Sequence, residues 1–234
     1  MTVQDDERER ELVRLFNLDW DPAHQRAGVD AILVLQRPQG MVHVEVEVKS
    51  TTGGTVSTAR DFGMSHIEKL RRKLFVIGFY SKEPRRPELQ RCLCLTPVDM
   101  APWIDAKEAE IGIDHRIAQR ISLRLTEADL VEVCGGKPHY TIEDAKRVLR
   151  QQWTSEQYQQ APDMVSDEVP VLSRAAMLDV LRLRARYIAE RGATLNNPHV
   201  PKAFLAPFFG TSREVGSEWA ARIRGIANEW LDSA

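Results

Sequence analysis

The stretch GVDAILVLQRPQGMVHVEVEVKST, residues 28–51, decides how the rest of the chain is read. Two apolar or alternating runs flank RPQG, and Pro with Gly between such runs signals a hairpin. The first run, 29–35, is apolar at nearly every position, which predicts a strand buried on both faces. The second alternates, with Val42, Val44, Val46 and Val48 on one face and His43, Glu45, Glu47 and Lys49 on the other. A turn centred between Pro38 and Gln39 sets Asp30 opposite Glu47. Opposed side chains lie about 5 Å apart, and two carboxylates at that distance repel by on the order of 3 kcal/mol at an effective dielectric near 20. Asp30→Ala is therefore expected to leave the fold intact or more stable. A divalent cation between the two turns repulsion into attraction, and Mg²⁺ takes one or two carboxylates plus waters and phosphate oxygens. Lys49, two residues past Glu47, shares its face, where an ammonium can orient a metal-bound water and stabilise its deprotonated form. The set suits hydrolysis of a phosphodiester. An E-x-K triplet alone arises by chance about once in a chain this long. Its weight comes from Asp30, a charge opening an apolar strand, which is costly unless it is used. Glu45, one step further from the strand end on the same face, is either a carboxylate that supports the metal ligands or a solvent-facing residue.

Outward from the hairpin, residues 5–18 place Leu12, Val13, Leu15, Phe16 and Leu18 on a helical period. After the hairpin come a loop, a helix over 59–73 with Phe62, Ile67 and Leu70 inward, and strands over 74–80 and 91–96. Residues 99–120 read as irregular to helical, 121–125 as a short strand, and 142–152 as a helix opened by Thr141. The segment QQAPDMVSDEVP, 159–170, carries two prolines and three acids and reads as an internal boundary. Helices follow over 173–192, with a serine N-cap, and over 212–233. The expected division is a core over 1–160 and a helical region over 161–234 that serves DNA recognition or dimerisation.

Of 234 residues, 43% are hydrophobic and 28% charged, the balance of a soluble globular protein. No apolar run approaches the roughly 20 residues of a membrane span, and the acidic start lacks a secretory signal, so a cytoplasmic address is expected. Cys92, Cys94 and Cys134 support neither a disulfide framework nor a zinc site, and the first two read as buried strand residues. A net charge of -2 excludes a protein that coats nucleic acid by bulk charge. Two local segments are basic. Residues 60–91 hold nine Lys or Arg against four acids, and 174–191 hold five Arg against two acids. Each is either a face for a polyanion or a solvated helix surface.

At these residues the chain resembles the PD-(D/E)XK nuclease superfamily, the restriction-endonuclease-like fold. The pattern is an acid opening one strand, an (E/D)-x-K ending the next, then a helix and another strand. Here it is Asp30, Glu47-Val48-Lys49, the helix around ARDFGMSHIEKLRRK and the strand LFVIGFY, so the resemblance spans residues 5 to about 97. Val29 stands where the motif's name has proline. The resemblance implies an α/β core, a central mixed sheet flanked by helices, with a C-terminal helical region added. It further implies that Asp30 and Glu47 bind Mg²⁺, that the Val48 carbonyl completes the coordination, and that Lys49 assists the attacking water. Glu7 or Glu11 of the first helix is either a further acid of the site or part of an exposed helix face.

For the substrate, Arg60 in the loop after the motif, with His66 and Lys69 on the following helix, is placed for phosphate contact. Arg184 of the basic helix would do the same. In GATLNNPHVPKAF, residues 192–204, Asn196, Asn197, His199 and Lys202 offer base-reading and phosphate-binding groups, although Asn-Asn-Pro is also an ordinary helix-terminating turn. The expected activity is Mg²⁺-dependent cleavage of double-stranded DNA at a short sequence by a homodimeric type II restriction endonuclease. A repair, recombination or phage nuclease acting on DNA structure or ends is the alternative within the fold. A catalytically idle DNA-binding module is the alternative outside enzymes.

Overall fold

The structure, a computed structural model, describes residues 3–20, 30–83 and 87–233. Val29, the loop expected before it, and Arg85 and Arg86 of the first basic segment lie outside the described residues. In chain order the elements are α1 (Val3–Leu15), β1 (Ala31–Arg37), β2 (Gly40–Thr51), β3 (Val56–Ser57), α2 (Met64–Leu70), β4 (Leu74–Tyr80) and β5 (Leu89–Leu95). Then come α3 (Pro97–Leu123), α4 (Glu127–Cys134), α5 (Ile142–Leu149), α6 (Ser155–Gln160), β6 (Met164–Ser166), β7 (Val169–Val171) and α7 (Arg174–Gly192). The chain closes with β8 (His199–Val200), α8 (Lys202–Leu205) and α9 (Trp219–Ser233). None of the helices among the described residues is long and apolar enough to cross a membrane.

The chain divides into two compact units, Met1–Glu110 with Leu195–Ala234, and Ile111–Thr194. The expected cut near residue 160 is therefore replaced by an insertion, because the C-terminal segment returns to the sheet. Cys94 N–H donates to Arg213 O at 2.9 Å, and Val215 N–H to Cys92 O at 2.9 Å. This edge pairing keeps residues 212–218 out of the helix expected there, and α9 starts only at Trp219. Such pairing satisfies edge N–H and C=O groups that would otherwise face a neighbour unpaired.

The first unit is α/β, with a mixed four-stranded sheet ordered β1-β2-β4-β5 and flanked by helices. β1 and β2 are antiparallel through a two-residue turn, and the register runs from Arg37↔Gly40 to Ala31↔Val46 as the hairpin reading required. Gly40 has φ +125, which a side chain would resist. β2 and β4 are parallel, joined by the connection that holds β3 and α2, and β5 returns antiparallel to β4. One sheet face buries Leu33, Val46, Val48, Val76 and Cys94 against Leu12 and Phe16 of α1 and Ile223 and Ala227 of α9. At Gly78 a Cβ would meet Leu12 and Tyr80 side-chain carbons at 2.9 Å, so glycine lets α1 lie close to the sheet. β1 departs from the expected burial on both faces. It is an edge strand in which Ala31, Leu33 and Leu35 are buried while Ile32 and Val34 are only half covered.

Three local expectations yield to specific pairings. The helix expected over 59–73 is shortened to α2, because Phe62 exchanges backbone hydrogen bonds with Leu195. Residues 97–123 form one helix. It opens where the Thr96 N–H donates to Asp99 Oδ2 at 2.8 Å and the Asp99 N–H to Thr96 Oγ1 at 3.2 Å, a reciprocal cap with Pro97 in the first turn. Residues 121–125, expected as a strand, contain the end of that helix. The second unit packs Leu130, Cys134, Tyr140, Leu149, Tyr158, Met177 and Leu181 from α4 to α7 into its own core. The prolines and acids of 159–170 belong to this unit's β6–β7 hairpin and mark no boundary. Ser173 caps α7 as expected, its Oγ accepting the Ala176 N–H at 3.1 Å.

Candidate active site

Alternation along β2 sends Val46 and Val48 into the core and leaves Glu45, Glu47 and Lys49 on the other face. Asp30 immediately precedes β1, so continuing the register from Ala31↔Val46 brings it beside Glu47. The Val48 N–H donates to Asp30 Oδ2 at 3.1 Å, which fixes that carboxylate on the backbone of the opposing strand. The Lys49 ammonium lies between the two acids, 2.7 Å from Asp30 Oδ2 and 2.8 Å from Glu47 Oε1. Sequence reasoning missed the fourth member, Lys73. Its Nζ is 2.8 Å from Glu47 Oε2, and the residue is only 4% exposed. The available signal was its position, directly before the apolar strand LFVIGFY, where a lysine is buried only if it is paired.

Two acids and two lysines therefore balance one another. This corrects the repulsion argument, since the carboxylate pair is compensated by ammonium groups of the chain itself. The expectation that Asp30→Ala relieves strain is reversed with it, because that change would strip partners from Val48 N–H and Lys49. Burial opposes the charged form of Glu47, but Lys49 and Lys73 outweigh it and hold the carboxyl well below its ordinary value of 4.5. Burial likewise opposes the charge on Lys49, and Glu47, Asp30 and Glu9 together raise its pKa. Glu9 of α1 is thus a helix acid whose charge bears on Lys49. Glu11 instead accepts the Tyr80 hydroxyl at 2.9 Å.

On α2, His66 is half-buried and stacks on Phe62, with ring centroids 5.5 Å apart. Its pKa is lowered by burial and by Lys69 and Lys73, with Glu47 opposing, which places the imidazole in the field of the site. Arg60 is exposed in the bend before Phe62, and Lys69 is exposed on α2. The first basic segment is less cationic than its composition suggests. Arg71 pairs with Asp105 and Glu108, Lys73 with Glu47, and Arg91 with Glu214. Arg184 belongs to the other compact unit, where its Nη1 donates to Gln152 Oε1 at 3.2 Å.

The loop with Asn196, Asn197, His199 and Lys202 joins the post-motif loop through a pairing that no sequence signal announced. β8 runs antiparallel to β3, with Val56↔Val200 and Ser57↔His199 in register. Asn197 has φ +47, the geometry of a turn. Lys202 packs its stem beside Gly54, where an added Cβ would meet Lys202 Cδ at 3.1 Å.

The resemblance implies Mg²⁺, and the donor set fits it. The carboxylates of Asp30 and Glu47 converge on one point, which the Lys49 ammonium holds, and a hard cation needs one or two carboxylates with oxygens of water or backbone. Among the described residues no group of three or more His, Cys, Asp and Glu side chains is arranged to hold a metal. The chain matches no known protein-family model, and no curated protein matches it.

Proposed function

We propose that the chain is a Mg²⁺-dependent endonuclease that hydrolyses phosphodiester bonds of double-stranded DNA, and specifically a type II restriction endonuclease acting as a homodimer in the cytoplasm. The observation that carries this reading is the convergence of Asp30 and Glu47 on the Lys49 ammonium at the end of one hairpin. A balanced cluster of this kind serves stability poorly, since buried ion pairs are often replaceable by apolar residues at no loss. It serves chemistry well. Asp30 and Glu47, with the Val48 carbonyl, would hold the cation. Mg²⁺ bound there supplies Lewis acidity toward a phosphate oxygen and an acidified water. Lys49, tethered two residues from Glu47, would donate a hydrogen bond that orients the attacking water and would stabilise negative charge developing beside it. Lys73 keeps Glu47 ionised and fixes its rotamer through Oε2. The restriction-endonuclease-like core is part of the same proposal. It is supported by the antiparallel hairpin bearing the acids, the helix-containing crossover and the parallel strand β4 beside β2.

Purified protein incubated with plasmid DNA in Mg²⁺ or in EDTA tests the proposal. Discrete fragments in Mg²⁺ alone are expected. A smear would shift the reading to a nonspecific or structure-directed nuclease, and intact DNA in both would leave an idle DNA-binding module.

A further inference from the structure

The β3–β8 ribbon is built more firmly than its two-residue strands suggest. Pro198 O accepts both the Thr58 N–H at 3.1 Å and the Thr58 hydroxyl at 2.6 Å. The Trp103 indole N–H donates to His199 O at 3.1 Å, and Phe62 pairs with Leu195 at the ribbon's foot. Val56 and Val200 turn inward and are buried, while their neighbours Ser57 and His199 turn outward and are exposed. The ribbon also starts where the site ends. Thr51, two residues past Lys49, donates its hydroxyl to Thr55 O at 2.8 Å and accepts the Gly53 N–H, so the turn into β3 is tied to the last residue of β2.

The outward pair has a defined chemistry. Ser57 Oγ lies 3.1 Å from His199 Nδ1. If serine donates, Nε2 carries the ring proton and presents a donor while Oγ presents an acceptor. If Nδ1–H donates, the roles exchange. In both tautomers the pair keeps one free donor and one free acceptor, the two kinds of group that read base edges in the major groove. A groove of that width admits a two-stranded ribbon as readily as a helix.

We propose that the β3–β8 ribbon is the base-reading element of the protein for duplex DNA, and that Ser57 and His199 read one base pair as a coupled unit. The inference rests on the nuclease reading for its ligand and goes beyond it by assigning sequence preference to a ribbon whose facing residues Ser57 and His199 stand 142 positions apart in the chain. Exposed Lys202 and Arg60 border the ribbon and supply contacts to phosphate without regard to sequence.

The test selects preferred duplexes from a randomised library in Ca²⁺ with the full-length protein, then measures affinity for the selected and a scrambled duplex. His199→Ala and Ser57→Ala should each weaken the selected duplex by roughly 10- to 100-fold and leave the scrambled duplex unchanged. The double variant should lose little more than either single one, and Ser57→Thr, which keeps the hydroxyl, should retain the preference. Equal losses on both duplexes, an unchanged preference, or no DNA binding at all would overturn the ribbon assignment. Plasmid cleavage by the same preparations separates the two readings. Cleavage with a preference indifferent to Ser57 and His199 removes the ribbon alone, whereas ribbon-dependent binding without cleavage removes the nuclease alone.

Discussion

Replacing Lys73 by methionine should expose how far the site depends on a residue outside the E-x-K motif. The Lys73 ammonium is 2.8 Å from Glu47 Oε2 and almost wholly covered. At an effective dielectric near 20 the bare attraction at that distance is about 6 kcal/mol, much of it offset by the cost of desolvating both groups. Methionine matches the lysine stem in length, so apolar packing is largely kept and the loss is electrostatic. Removing one member of a buried pair costs about 3 to 5 kcal/mol. Glu47 keeps Lys49 at 2.8 Å on its other oxygen, which puts the expected loss near the lower end, about 3 kcal/mol. Urea unfolding in EDTA of Lys73→Met, Glu47→Gln and the double variant measures it. The double variant should be at least about 2 kcal/mol more stable than the sum of the single losses implies. Lys73→Met within about 0.5 kcal/mol of wild type, or additive losses, would refute the pairing.

Asp30→Ala should now destabilise the fold by about 1 to 3 kcal/mol, because the Val48 N–H and Lys49 each lose an acceptor; thermal unfolding with metal removed gives the sign. In the second unit Asp144 is buried and receives Lys137 Nζ on both oxygens at 2.9 Å. Burial works against its charge, but Lys137 and Thr141 outweigh it and lower its pKa from 3.8. Its contribution is therefore complete above about pH 4 and lost as pH falls through the lowered value. Asp144→Asn should cost about 1 to 3 kcal/mol at pH 7 and flatten the acid limb of the stability curve, measured by chemical denaturation from pH 2 to 7. Arg184→Ala should weaken binding to every duplex alike and reduce the slope of affinity against salt by about 1, as anisotropy titrations at several salt concentrations would show.

What could be read in advance followed from strict local periodicity. The alternation of Val42 to Lys49 and the two-residue turn fix a register, and a register fixes which carboxylate meets which, so Asp30, Glu47 and Lys49 could be placed together from letters alone. The strand 74–80 was legible for a similar reason, being apolar between polar flanks. Lys73 was not, because its partner is 26 positions away and reaches it only once β4 lies parallel to β2. The return of residues 213–215 to β5 and the β3–β8 pairing were hidden in the same way, as short segments whose pairing depends on tertiary closure. Residues 121–125 misled by propensity. Ile121 is β-branched, but Ile113, Ile117 and Ile121 recur every fourth residue and continue a helix already capped at Thr96. The basic segments misled by composition, since Arg71, Lys73 and Arg91 each have an acidic partner distant in sequence.

The proposed hydrolytic centre consists of Asp30, Glu47 and Lys49. Its most direct measurement is single-turnover cleavage of plasmid DNA in Mg²⁺ by Asp30→Ala, Glu47→Ala and Lys49→Ala, beside gel-shift binding of the same proteins in Ca²⁺. Each variant should lose cleavage by about 100-fold or more while still binding DNA. Wild-type cleavage by any one of the three would show that the three do not form a hydrolytic centre.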